Sequence, residues 1–251
     1  VKNYKIGEKV IAMPGHGCFA EIVKCPETKL IPITHDIDLK IASVLPMAYG
    51  TSAHALIQRG KLQENETLLV HGAAGGVGLA AVEIGKAMKA KVIATASTDE
   101  KCEIAKKHGA DEVLNYSDGK FKDRVKEMTD GKGADVIYDP VGGDIFDQSL
   151  RCISWEGRLL VIGFTSGRIP SAPANIALLK SCDIVGVFWG AWVTRNPQGN
   201  LSNFQKLYNW VDQGYIKPEI SLELPLEKTV EAMQIIANRK ILGKAIAIPN
   251  L

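Results

Sequence analysis

The sequence predicts an α/β fold: a doubly wound parallel sheet, accompanied by a second, partly β domain built from both chain ends. Three observations carry this. From residue 67 onward, short apolar runs alternate with helix-patterned segments six times, the rhythm of βαβ units with right-handed crossovers. The stretch "VHGAAGGVGLA" (70–80) sets Gly72, Gly75, Gly76 and Gly78 between the first apolar run and its helix. The two ends lack this rhythm and hold β-like pieces punctuated by Gly and Pro.

Taken in order, "TLLVHGA" (67–73) is apolar without period-two polarity, as a strand buried on both faces requires. "GVGLAAVEIGKAMK" (76–89) has helical spacing, and "KVIATA" (91–96) is again a strand. In "STDEKCEIAKKHG" (97–109), Ser97 and Glu100 are spaced as a capping box and a glycine closes the helix. Strand "DEVLNY" (111–116), a helix over 119–129 and strand "ADVIYDPV" (134–141) come next. Helix 144–153, strand "GRLLVIGF" (157–164), a short helix near 175–181 and strand "DIVGVFWG" (183–190) complete the series. In the first 45 residues "EKVIAM" and "FAEIVKC" read as β pieces, with no helix signal before Asp38. After a helix over 200–213, the tail "ISLELPLEKTVEAMQIIANRKILGKAIAIPN" gives strand, helix, strand.

The 251 residues are 46% hydrophobic and 23% charged with net charge +2, the composition of a soluble globular chain. No long basic block argues for nucleic acid or a membrane surface; the densest cluster, Lys101, Lys106 and Lys107, reads as a solvated helix face. The five cysteines, Cys18, Cys25, Cys102, Cys152 and Cys182, are odd in number and show no C-x-x-C spacing, so free thiols in a reducing compartment are expected. No run approaches a membrane span, and "VKNYKIGEKV" has no apolar signal core. A cytoplasmic protein is the expectation, with a mitochondrial one as the alternative.

The glycines between strand and helix have a physical purpose. Glycine allows the tight turn, lets backbone N–H groups approach a pyrophosphate, and permits close helix–strand packing. The helix N-terminus adds free donors and partial positive charge. Gly75, Gly76 and Gly78 hold the useful places, while Ala73 replaces the first glycine of the strict G-x-G-x-x-G spacing. About twenty residues on, an NAD site would place Asp or Glu against the ribose 2′-OH. Here the strand ends on Ala96, and Asp99 and Glu100 fall inside the next helix. Ser97 offers a hydrogen bond to a 2′-phosphate and Lys101 a matching charge, so the expected cofactor is NADPH.

These residues resemble the cofactor domain of the medium-chain dehydrogenase/reductase superfamily, and within it the zinc-independent quinone oxidoreductase (zeta-crystallin-like) branch. The likeness extends to "YKIGEKVIAM", "GCFAEIV", "AYGTSAHAL", "VIYDPVGG", "GRLLVIGF" and "NRKILGKAIAIP". It implies a Rossmann-type NADP-binding domain over 46–215 and a partial β-rich, GroES-like catalytic domain from 1–45 and 216–251. It also implies a pocket. Thr51 would lie on the nicotinamide ribose side, with Gly75, Gly76, Val77 and Gly78 on the pyrophosphate. Ser97, Lys101 and Tyr116, with Arg239 as a further member, would surround the 2′-phosphate. Gly163 and Phe164 would line the nicotinamide half, and Phe188, Trp189 and Gly190 would close over the ring. The plainer reading of Phe164, Phe188 and Trp189 is core packing.

Zinc-dependent relatives carry a cysteine a few residues before the threonine matched by Thr51; Met47 stands in that place, and a thioether suits zinc poorly. His54 is a lone imidazole, and His16, His35, His71 and His108 form no metal spacing with a cysteine, so no metal is expected. Members of the branch carry more of the β-rich domain ahead of "YKIGEKVIAM". The chain therefore reads as a fragment or shortened form in which the cofactor half of the site is written and the substrate half largely is not. The implied activity is NADPH-dependent hydride transfer to a quinone, or to an enone or enoyl thioester. The alternative class is a non-catalytic NADPH-dependent RNA-binding or scaffold protein. No catalytic residue is assigned; Tyr49 is near Thr51 but reads first as a structural aromatic. The apolar strand "DIVGVFWG", as a sheet edge, points to a homodimer.

Overall fold

The computed structural model describes residues 2–238 and 241–249. The chain divides into two compact units, Val1–Pro46 with Pro218–Leu251, and Met47–Lys217.

In the first unit, β1 (Val10–Ala12) pairs antiparallel with β2 (Leu30–Pro32), Ile11 opposite Ile31, both buried. Asp38 caps α1 (Leu39–Val44) by accepting from the Lys40 N–H at 2.7 Å. Residues 19–25, expected as a β piece, form bends over 19–22 and irregular chain over 23–25 instead. Phe19 and Ile22 are exposed, and among the described residues no strand pairs with this segment, so its apolar residues have no ladder to join.

The second unit opens at Met47, within the π-helical stretch Leu45–Gly50, and continues through α2 (Thr51–Ala53) and a second π-helical stretch, His54–Arg59. Then follow β3 (Thr67–Val70), α3 (Gly76–Ala87), β4 (Lys91–Ala96), α4 (Asp99–Lys107), β5 (Glu112–Asn115), α5 (Phe121–Met128), β6 (Ala134–Asp139), α6 (Gly143–Cys152), β7 (Ile153–Val161), α7 (Ala174–Lys180), β8 (Asp183–Gly186), α8 (Trp189–Arg195) and α9 (Pro197–Asp212). The six strands β3–β8 form one parallel sheet in the order β5-β4-β3-β6-β7-β8. The reversal of winding direction between β3 and β6 makes the strand ends there the natural ligand crevice. Leu69, Ile93, Ile137 and Leu159 from the sheet meet Phe121, Phe146 and Leu150 from α5 and α6 in one buried cluster. The central helix comes unusually close to the sheet: a methyl built on Gly85 of α3 would lie 2.6 Å from Leu68 Cδ2.

Three local expectations are corrected. The cap of α4 is Thr98, which accepts from the Lys101 N–H, and not Ser97; the two neighbouring hydroxyls put the box one residue out. Strand β7 begins at Ile153 and carries an irregularity before its regular pairing at Arg158. Residues 183–190 are not one strand: pairing stops at Gly186, and a helix begins at Trp189.

One buried carboxylate ties this unit together. Glu83 of α3 accepts from the Tyr49 hydroxyl at 2.7 Å, from His108 Nδ1 at 2.7 Å and from the Lys217 N–H at 3.2 Å. A buried charge is tolerable only with such partners.

The first unit closes with β9 (Ile220–Pro225), α10 (Thr229–Ala237) and β10 (Lys244–Ile248), the two strands pairing in parallel. A 2.6 Å ion pair between Lys40 and Glu223 joins its two chain segments. Among the described residues no helix is long and apolar enough to cross a membrane.

Candidate functional site

The loop after β3 is held by backbone bonds to both neighbouring strands: the His71 N–H donates to Tyr138 O and the Ala73 N–H to Thr95 O, each at 3.0 Å. Gly72 sits at φ +58°, a conformation side chains rarely adopt. The loop then turns directly onto the first turn of α3. A methyl on Gly78 would lie 2.3 Å from Gly72 O and 2.8 Å from Ala73 Cα. Gly78 therefore serves helix–loop packing, while exposed Gly75 and half-buried Gly76 and Val77 present bare backbone outward. Gly75 caps α3 without a side-chain hydrogen bond, and the first helical bond to it comes from the Leu79 N–H at 2.8 Å. An uncapped, outward-facing N-terminus of a twelve-residue helix fits a pyrophosphate.

Beneath this loop, His71 is fully buried between two hydroxyls, Nδ1 at 2.8 Å from Thr95 Oγ1 and Nε2 at 2.8 Å from Ser149 Oγ. Ser149 donates its proton to Ile145 O, so it accepts from His71 Nε2–H and Thr95 donates to Nδ1. Burial holds the imidazole neutral, its pKa lowered to about 3.

At the β4–β5 corner, the Tyr116 N–H donates to Ala96 O at 3.0 Å. This places Tyr116 beside the end of β4, next to exposed Ser97, with half-buried Lys101 in the first turn of α4. Ala96 is buried. Asp99 accepts from Asn115 Nδ2 at 2.8 Å, so the nearest acid is engaged with its neighbour. The Lys101 ammonium makes no ion pair among the described residues.

At the other end of the crevice, Asp139 Oδ1 accepts from the N–H groups of Val141 and Gly142 at 2.8 and 2.9 Å, shaping the turn after β6. Burial raises its pKa, and these two donors oppose the rise. The loop after β7 docks on this turn: the Thr165 and Ser166 N–H groups donate to Pro140 O and Val141 O. A methyl on Gly142 would lie 3.0 Å from Phe164 Cδ1, and one on Gly72 3.3 Å from Val141 Cγ2. The loops carrying the phosphate cradle, Asp139 and Gly163–Phe164 are thus contiguous. Ser52, beside Thr51, donates to Val77 O at 3.0 Å and lies 2.8 Å from the Tyr138 hydroxyl, fixing Thr51 against the start of α3.

The aromatic group separates. Phe188 and Gly190 are exposed, whereas Trp189 is buried, its indole N–H on Asn200 Oδ1 at 3.1 Å. A methyl on Gly50 would lie 2.6 Å from Trp189 Cζ2. Trp189 is accordingly a packing wall behind Thr51. Arg239 lies outside the described residues. Sequence reasoning did not single out Ser52, Asp139 or the role of His71; of these only Asp139 left a signal, the turn chemistry of "DPVGG".

The donor set does not fit zinc: Met47 is exposed, and the described residues hold no group of three His, Cys, Asp or Glu able to share an ion.

Residues 76–206 match the family described as "Zinc-binding dehydrogenase". The quinone oxidoreductase-like protein 2 homolog of Nematostella vectensis is 39% identical over 248 residues, covering 98% of this chain and 68% of that protein. A 2-haloacrylate reductase of Burkholderia sp. is 30% identical over 261 residues, covering 100% of this chain and 76% of its own length. The crystal structure of Escherichia coli quinone oxidoreductase complexed with NADPH superposes with a TM-score of 0.89 at 28% identity, covering 99% of this chain and 77% of that one.

Proposed function

The chain belongs to the quinone oxidoreductase branch of the medium-chain dehydrogenase/reductase superfamily, oxidoreductases with a nicotinamide cofactor, and from that premise we propose that it binds NADPH and reduces a quinone. The observation carrying the coenzyme choice is the β4–β5 corner: Ala96 where an NAD site needs an acid, Asp99 turned to Asn115, and a Lys101 without an ion pair among the described residues beside Ser97 and Tyr116. Gly75, Gly76 and Val77 offer their backbone to the pyrophosphate, with Gly78 keeping helix and loop in contact. Thr51, Gly163 and Phe164 orient the nicotinamide, Phe188 and Gly190 flank it, and Trp189 backs the wall.

What the coenzyme supplies when bound is a hydride; the protein supplies position. No described carboxylate pair, metal group or nucleophile–base pair in the crevice argues for other chemistry. A second acceptor class, an alkene conjugated to a carbonyl, is supported by the likeness to the 2-haloacrylate reductase. The division of the chain supports a nucleotide-binding unit over 46–215 and a partial catalytic unit from the two ends. Strand β8, last in the six-stranded order, is the edge through which we place a homodimer.

The test is a pair of measurements. Titration of the protein with NADPH and NADH should favour NADPH, and Lys101→Ala should erase about tenfold or more of that preference, the worth of a charge-assisted contact. Equal loss for both coenzymes refutes the 2′-phosphate assignment. Coenzyme oxidation with 1,4-naphthoquinone and with 2-cyclohexenone then ranks the acceptors; turnover of neither refutes both.

A further inference from the structure

On the sheet face covered by α5, α6 and α7, the second unit carries a groove of about 370 Å³ whose lining shares no residue with the strand-end crevice. Its sides are cationic. Lys122 and Lys126, one helical turn apart on α5, face Arg151 at the end of α6 and Lys180 at the end of α7. Its apolar lining is Leu150, Ile176 and Leu179. One carboxylate, Asp123, also lines it, leaving three positive charges in excess.

Most of that charge is unspent. Lys180 Nζ donates to Ile153 O at 2.8 Å, but Lys122, Lys126 and Arg151 make no ion pair among the described residues. Arg151 and Lys180 suit the negative ends of their helices, as does Lys126 in the last turn of α5; Lys122, in the first turn of α5, does not, since a cation there opposes the dipole. That placement needs another reason. The electrostatics converge: the buried Cys152 thiol, pushed up to about 12 chiefly by burial, is drawn back by Lys180 and then Lys126. Both ammonium groups therefore act on one spot. The floor is apolar too, and Leu179 and its neighbour Leu178 remain exposed. A bare inorganic anion would leave this surface wet, while an apolar ligand would leave the charges unmet. The volume falls in the range of small-molecule pockets, roughly 300–1,000 Å³.

We propose that this groove binds a small amphiphilic anion: a hydrocarbon chain on Leu150, Ile176 and Leu179, with one carboxylate or phosphate head held by Lys122, Lys126 and Arg151. The head group's two sources are separable by probe. Calorimetric titration of the full chain uses decanoate and decyl phosphate below their micelle concentrations, with decanol and inorganic phosphate as the apolar-only and charge-only arms. Methyl NMR locates the site.

Saturable binding of either anion, with shifts at Leu150, Ile176 and Leu179 methyls, is expected, and decanol and phosphate should bind at least tenfold more weakly. Lys126→Glu and Arg151→Glu should each weaken the anion about tenfold or more without changing the melting temperature. Decanol equal to decanoate, unchanged affinity in both charge-reversal variants, or no saturable binding would overturn the proposal. So would shifts confined to the strand-end crevice, or an equal loss in Lys101→Ala, since either would assign the anion to the coenzyme site.

Discussion

Two glycines three residues apart should fail in different ways when each gains a single methyl. At Gly78 the added carbon would meet Gly72 O at 2.3 Å, Ala73 Cα at 2.8 Å and the Gly72 carbonyl carbon at 2.9 Å, all backbone. Ordinary contact begins near 3.4 Å, so α3 must retreat from its loop by about 1 Å. Overpacking of this kind costs about 1–3 kcal/mol, against which alanine's better helix propensity returns at most about 1 kcal/mol. With only backbone to yield, we expect the upper end: a net loss of about 2 kcal/mol, or a fall in melting temperature of about 4–8 °C for a unit of this size. At Gly75 the nearest atom is Gly72 O at 3.4 Å, φ is −83°, and the site is exposed. Gly75→Ala therefore changes stability by less than about 1 kcal/mol, but its methyl occupies the space a diphosphate needs. Urea unfolding and coenzyme titration on both variants separate the effects. If Gly78→Ala is as stable as the parent, the close approach is not real; if Gly75→Ala binds NADPH undiminished, the cradle is misplaced.

Other outcomes follow from single groups. His71 is held neutral with its pKa near 3 against about 6.5 unfolded, so the unfolded state takes up the proton first. Its stabilisation is complete above pH 6.5 and falls by about 1.4 kcal/mol per pH unit as pH drops toward 3. His71→Asn should flatten the unfolding free energy by that slope over this window, and an unchanged slope would contradict the assignment. Gly50→Ala should destabilise by driving a methyl into Trp189, and Trp189→Leu should recover part of the loss; strictly additive effects in a double-mutant cycle would deny the contact. Val185→Lys on β8 should convert a dimer to monomer by light scattering, and a parent already monomeric at micromolar concentration would remove the edge pairing.

How much of this was legible depended on where tertiary contacts decide. Strands β3, β4 and β6 announce themselves because burial on both faces leaves no room for polar residues. The cradle was legible because its conformational demands select glycine. Residues 183–190 misled because a continuous apolar run does not say where a strand becomes a helix; the junction lies between Gly186 and Trp189, where the apolar residues change partners. Residues 19–25 misled for a different reason, a strand-like mix of apolar and β-branched residues with no neighbouring strand among the described residues. Trp189 could not be sorted into lid or wall from its position, because its burial is settled by Gly50, far away in sequence, and by Asn200 on the following helix. Ser52 was invisible because a hydroxyl that hooks Val77 O looks like any other serine until the fold is assembled.

The carboxylate of Glu83 grips Tyr49, three residues into the second unit, and Lys217, its last residue. Entry and exit of a 171-residue excursion of the chain (47–217) are thereby fastened to one atom group inside the excursion itself. Such a segment carries its own clasp. Cut out and sealed end to end by a short linker, then reopened at a surface turn such as Asp130–Gly131, it should still fold as a circular permutant, and the clasp predicts that Glu83→Leu would cost the permutant more than the parent.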